Sequence, residues 1–282
     1  MSYIFAKRLG QVEDLPTVPE TMQKVLAEID QASSTAQSLQ AIIERDPVIT
    51  AKILKIANSS FYSPVSEISS VARAIVTMGF KEIRDLVVCF SLTGVFSGNL
   101  GFVEFNSRDL WLHAFGVGIA SRMIAKRVPG LDPDDIFTAG VLHDLGRLVY
   151  CLYFKEELVQ VLAEAKNSGV PLNQAEETLG LTHAEIGAYL TRCWKLTDLL
   201  VNVIRYHHQP QQAGKFIKEA TVVNLADTLI KQLRIGWDGL GETPTAVIPK
   251  VLGLDVHTLK EIAQQLREER EKIIESWGVV LG

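Results

Sequence analysis

The chain has 282 residues, 47% of them hydrophobic and 22% charged, with a formal net charge of -5. That size fits one large domain or two modest ones, and the composition is that of an ordinary folded protein. The negative charge counts against a nucleic-acid backbone as main partner, because neutralising phosphates needs an excess of Lys and Arg, yet it leaves room for a small nucleotide held at a metal.

Past the N-terminal Lys7 and Arg8 no apolar stretch follows, and no run of eighteen apolar residues occurs anywhere, so neither a signal peptide nor a membrane span is expected. Apolar residues at three- and four-residue spacing predict helices over 19–30, 37–44, 47–57, 69–77 and 80–95. The third follows Asp46-Pro47, an acidic cap with proline at the first helical position. Ser97-Gly98-Asn99-Leu100-Gly101 marks a boundary. A long helix is predicted at about 107–128, where Gly116 and Gly118 imply close packing by another helix. Asp132-Pro133 caps a nearly all-apolar helix running from Ile136 to Val149, which its composition marks as central. Thr182 and Glu185 open the helix of His183; helices at 197–207 and 217–233 follow. Gly236, Gly239, Gly241 and Pro244 predict an exposed loop, and 258–276 reads as a charged amphipathic helix. The three cysteines, Cys89, Cys151 and Cys193, are odd in number and far apart, and read as buried, reduced thiols of a cytoplasmic protein.

Five of the six histidines, His113, His143, His183, His207 and His208, lie within one stretch of fewer than a hundred residues, and Asp144 and Asp227 accompany them. Imidazole and carboxylate together are ligands for one or two first-row divalent metals. His143 and Asp144 point about 100° apart on a helix, so both can reach a metal beside it, with the carboxylate bridging two ions. His113 and Asp227 would complete one ion's shell, and His183, His207 and His208 the other's. Asp109 stands one helical turn before His113, placed to ligate or to accept the imidazole's second N–H. Arg147, one turn after His143, suits a phosphate or carboxylate ligand. His257 falls outside the series and reads as a surface residue.

His113, the run Gly140-Val141-Leu142-His143-Asp144-Leu145-Gly146 and Asp227 resemble the HD phosphohydrolase superfamily. With His183 and His207-His208 added, the set resembles its HD-GYP branch of metal-dependent cyclic-dinucleotide phosphodiesterases. Leu15-Pro16-Thr17-Val18-Pro19, Ile42-Ile43-Glu44-Arg45-Asp46-Pro47, the stretch Lys52–Ser59 and the stretch Ala74–Phe80 are similar to the HDOD domain, the HD-related output domain of bacterial signalling proteins. The resemblance spans roughly 11–235. It departs from HD-GYP at Arg147, where that branch has lysine, and after His208, where Gln209-Pro210 replaces the Gly-Tyr-Pro signature.

The resemblance implies an all-α fold, with an N-terminal helical part (1–98), an HD-like bundle carrying the metal site (99–235), and a loop with a C-terminal helix (236–282). It implies a regulatory output module of a kind that commonly loses the metal ligands; this chain keeps them, so a dinuclear site with weak or no turnover is expected, beside the reading of a scaffold whose histidines bind nothing. The alternative it leaves is a metal-dependent phosphohydrolase acting on a nucleotide or cyclic dinucleotide, with Asp144 and Arg147 as its catalytic pair. Iron or manganese is the expected cofactor before zinc. The expected partners are a signalling protein and a nucleotide or phosphate ligand, with no nucleic acid and no membrane.

Overall fold

The computed structural model describes residues 17–29, 31, 33–96, 100–102, 106–236 and 250–281. The Leu15-Pro16 start of the first motif, the 97–99 part of the boundary marker, and Gly239, Gly241 and Pro244 lie outside the described residues. Among the described residues there is no β-strand, and no helix is long and apolar enough to cross a membrane. The chain divides into two compact units, one over Pro16–Ser97 with Glu269–Gly282, the other built on Gly98–Glu268.

In the first of these, α1 (Glu20–Ile29), α2 (Ala36–Ile43), α3 (Pro47–Ala57), α4 (Val71–Met78) and α5 (Phe80–Val95) follow one another with short connections. Side-chain caps fix their starts. Asp46 Oδ1 accepts from the Val48 and Ile49 N–H groups at 3.1 and 3.0 Å, Thr35 caps α2, and Ser70 caps α4. Two-turn helices such as α2 and α4 are marginal alone, so burial must hold them. They bury Leu39 with Ile43 and Ala74 with Ile75, while α3 buries Ile49, Ile53 and Ile56. α5 is interior along most of its length. Trp277, from the last turns of the C-terminal helix, is fully buried 6.1 Å from the Phe90 ring, and Lys55 Nζ donates to the Val279 carbonyl at 2.6 Å.

The other unit contains α6 (Ser107–Ala125), α7 (Pro133–Leu142), α8 (Leu145–Tyr153), α9 (Lys155–Ser168), α10 (Leu172–Leu179), α11 (His183–Cys193), α12 (Asp198–Tyr206), α13 (Ile217–Leu233) and the first turns of α14 (Val256–Leu281). The predicted close packing at Gly118 is the α6–α7 crossing. A Cβ there would lie 2.5 Å from Val141 Cγ2, and one on Gly140 would lie 2.9 Å from the Gly118 Cα. A second crossing, of α8 on α11, is closer still. A Cβ on Gly146 would stand 1.9 Å from the His183 carbonyl oxygen and 2.8 Å from the Gly187 nitrogen.

Three expectations need correcting. The helix predicted to run unbroken from Ile136 to Val149 stops at Leu142 and restarts at Leu145. Apolar residues continue on both sides of the break, so periodicity hides it, while Asp144 at ψ 12° turns the chain out of helical register. Between the His143 and His183 helices the sequence reading places no element, and the structure has α9 and α10. α9 buries only Leu158, Val161 and Ala165 beneath a polar surface, and left-handed Gly169 and Gly180 end the two helices at φ 65° and 74°. Finally, Cys89 and Cys151 are buried as expected but Cys193 is exposed, because it lies on the solvent side of the last turn of α11.

Candidate metal centre

The break between α7 and α8 is where the site begins. His143 caps the end of α7 and donates Nδ1–H to the Gly140 carbonyl at 2.6 Å; Asp144 starts α8. With its Nδ1 committed, the His143 Nε2 faces inward as a lone pair. His113 of α6 lies alongside, ring centroids 5.6 Å apart. Asp227 of α13 closes this set, its Oδ1 3.0 Å from His113 Nε2 and 3.8 Å from His143 Nε2. Lys231, one turn along α13, donates to Asp227 Oδ2 at 2.8 Å. All three donors are buried.

A second set forms on the other oxygen of Asp144. Its Oδ1 is 3.0 Å from His183 Nε2 and 3.7 Å from His207 Nε2, while its Oδ2 lies 3.4 Å from His143 Nε2 and accepts from Arg147 Nε at 2.9 Å. His183 is the first residue of α11 and His207 follows α12. His207 donates Nδ1–H to the Ile204 carbonyl at 2.7 Å, repeating the arrangement of His143. His208 completes the set, its Nε2 3.1 Å from His183 Nε2. Asp144 therefore stands between two groups of donors, and the His143 and His207 rings, 5.0 Å apart edge to face, link them.

Two carboxylates and two of the imidazoles are held in the protonation states that metal ligands require. Burial opposes ionisation of Asp144, but Arg147, His143 and His183 outweigh it and hold its carboxyl well below the usual range. Burial opposes ionisation of Asp227 as well, and Lys231 and His113 overcome it. Burial, with His143 and His183 beside it, holds His207 well below the ordinary imidazole value; burial, His207 and His183 do the same to His208. His143 and His183 are also pulled down by burial, but the carboxylates facing them, Asp144 with Asp227 and Glu176 with Asp144, lift both above the ordinary value.

A match to the HDOD domain spans residues 15–210. The chain belongs to the HDOD family. An HDOD protein of unknown function from Geobacter sulfurreducens superposes on it with a TM-score of 0.77, at 25% identity and 98% coverage of both chains. A proposed phosphohydrolase from Shewanella amazonensis SB2B does so equally well, with TM-score 0.77, 26% identity and 98% coverage of each. An uncharacterized protein of Treponema pallidum (strain Nichols) is 24% identical over 246 residues, 86% of this chain but 46% of that protein, so the chain spans less than half the length of this curated relative.

Within this HDOD protein the residues fit a divalent metal. His143 Nε2 and Asp144 Oδ1 are buried and make no well-formed hydrogen bond; Asp144 Oδ1 faces only imidazole Nε2 atoms, the nearest His183's at 3.0 Å, a costly state unless a cation meets them. The Nε2 atoms of His183 and His207 are 3.3 Å apart, and both imidazoles already donate through Nδ1. Two lone pairs so placed call for a positive charge between them. Donors about 2.1 Å from one ion and roughly 90–110° apart lie about 3.0–3.4 Å from each other; His113–Asp227, His183–Asp144, His183–His208 and His183–His207 have that spacing, while His207–Asp144 at 3.7 Å and His143–Asp227 at 3.8 Å stand slightly wider.

All seven sequence-predicted ligands thus come together. Arg147 is buried, bound to Asp144 and 3.8 Å from Glu176 Oε1. Asp109 is only partly buried; its N–H binds the Asn106 cap and its carboxylate makes no bond to His113. His257 is 82% exposed and pairs with Glu261. Two residues escaped the sequence reading. Lys231 had a signal, its i,i+4 spacing from Asp227. Glu176 had none beyond a glutamate that falls on the buried side of an unanticipated helix. A cleft of about 450 Å³ opens on the second set, lined among others by Glu176, Glu177, Glu185, Arg205, Tyr206 and His208.

Proposed function

We propose that this HDOD protein is a bacterial signal-transduction output module built on a dinuclear metal centre, with iron or manganese bound and with weak or no turnover. The observation that carries the reading is the convergence of seven donors in two adjoining sets, with His143 and His207 pinned through Nδ1 so that Nε2 faces inward. A metal pair supplies Lewis acidity and a water of lowered pKa. The chain's own residues do the rest: Arg147 holds the Asp144 carboxylate, Lys231 holds Asp227, and the Gly140 and Ile204 carbonyls fix two imidazoles. Weak turnover follows from the cleft. Its wall carries two carboxylates that reach solvent, Glu177 and Glu185, against one arginine, Arg205, which itself lies 3.5 Å from Glu185. Arg147 is turned inward instead of toward an entering phosphate.

The second reading is a metal-dependent phosphohydrolase. The cleft favours it, since its size suits a small ligand and His208 forms part of its wall. Asp144 and Arg147 would be its catalytic pair. The Shewanella amazonensis protein of 26% identity, described as a phosphohydrolase, lends it support. Elemental analysis of protein purified without chelator, followed by a panel of nucleotides and cyclic dinucleotides with added manganese or iron, separates the two. Two metal equivalents without hydrolysis are expected. Steady hydrolysis abolished by Asp144→Ala would promote the enzyme, and protein that never takes up metal would sink both.

A further inference from the structure

Three imidazoles of the centre are fixed through Nδ1, and they are fixed by different kinds of group. His143 and His207 use carbonyls three residues back in their own chain. His183 uses a side chain from another helix. The Glu176 carboxylate of α10 accepts the His183 Nδ1–H and, at 2.9 Å, the His183 backbone N–H. That backbone N–H belongs to the first turn of α11 and has no partner within its helix. Glu176 is 1% exposed, while a residue in such a place is rarely charged unless paired. Its other oxygen faces Arg147 Nη1 at 3.8 Å, and Arg147 Nε binds Asp144, whose Oδ1 returns to His183 Nε2 at 3.0 Å. Glu176, His183, Asp144 and Arg147 close a ring of contacts.

We infer that Glu176 is a positioning residue for the ion on the cleft side: it fixes His183 as the Nδ1–H tautomer and so keeps the Nε2 lone pair available beside Asp144, His207 and His208. This rests on the metal-centre reading above. Without Glu176 the proton can move to Nε2, where it points at the Nε2 atoms of His207 and His208 and blocks the site. The enclosed set of His113, His143 and Asp227 does not touch Glu176 and keeps its ion. A group that orients a ligating histidine is worth about 10–100-fold in metal affinity.

The test titrates metal-free protein with manganese(II) alone and counts bound ions. Wild type binds two. Glu176→Ala weakens one of them about 10–100-fold and leaves the other. Glu176→Gln, nearly the same shape, retains an acceptor oxygen and falls between, and it serves if the alanine variant does not fold. Imidazole nitrogen shifts of the metal-free proteins give a second readout: His183 is the Nδ1–H tautomer in wild type and loses that state in Glu176→Ala. Loss of both ions together points to a purely structural residue and overturns the inference, as does an unchanged count with unchanged affinities. If wild type binds no manganese, the metal-centre reading falls, and the His183 tautomer still decides the role of Glu176.

Discussion

The two halves of the centre differ in how they meet the outside. The set of His113, His143 and Asp227 is buried, and none of its members lines the cleft. The set of His183, His207 and His208 includes a partly exposed imidazole on the cleft wall, and one of its imidazoles is held by a side chain that also lines it. One half is closed off from the cleft; the other meets it at His208. Asp144 is grouped with the cleft-side set through Oδ1, while its Oδ2 accepts from Arg147 and lies 3.4 Å from His143 Nε2 of the enclosed set. The difference shows how a helix break at two adjacent residues can make one enclosed position and one accessible position from a single motif.

The largest test of that division is Asp144→Ala. It removes the shared carboxylate and leaves the buried Arg147 guanidinium without its closest acid, a loss that costs about 3–5 kcal/mol. Metal content should fall to near zero and the denaturation midpoint should drop. Retention of both ions would mean that Asp144 bridges nothing. Asp227→Ala comes next. It takes the one carboxylate from the enclosed set, so metal content should halve, with the cleft-side ion kept. His208→Ala should do less: it removes one of four cleft-side donors, weakening that ion in a titration while the enclosed ion is untouched. If Asp227→Ala and His208→Ala lower the two affinities alike, the halves are one site and the comparison fails.

The smallest effect concerns thiols and probes enclosure directly. Burial pushes the Cys151 thiol up to about 12, against the pull of Arg147, and the thiolate is the form that alkylates. Cys193, exposed at the end of α11, should react with iodoacetamide first, and Cys151 only once the protein is unfolded. Equal labelling rates in the native protein would show that the interior around Arg147 opens readily.

Much of this centre was readable before any coordinates, for a chemical reason. Histidine is scarce in the chain, and five imidazoles in series with Asp144 and Asp227 have few uses other than a metal. The helices were readable where an apolar stripe alternates with polar residues, as in α3, whose start is written in Asp46-Pro47. What stayed hidden was hidden by sameness. The break at His143–Asp144 interrupts a stretch apolar on all sides, where no periodicity is available to be broken. α9 and α10 bury few apolar residues, so they read as connection. Glu176 is one of 33 acidic residues, and nothing local separates it from Glu177, which faces solvent and binds Gln209. Its role depends on where α10 lies beside His183, a tertiary fact.

The crossing of α8 on α11 sets one more condition. At Gly146 every other amino acid adds at least one carbon, and that carbon would fall inside the His183 carbonyl group. The position has no neutral neighbours in sequence space. A single base change there would separate the segment carrying Asp144 from the segment carrying His183 while leaving every ligand in the gene. Descendants of such a sequence would keep the histidines as relics, so a count of ligands alone would overstate how many members of a lineage still hold metal. Glycine at 146 is the better marker to read first.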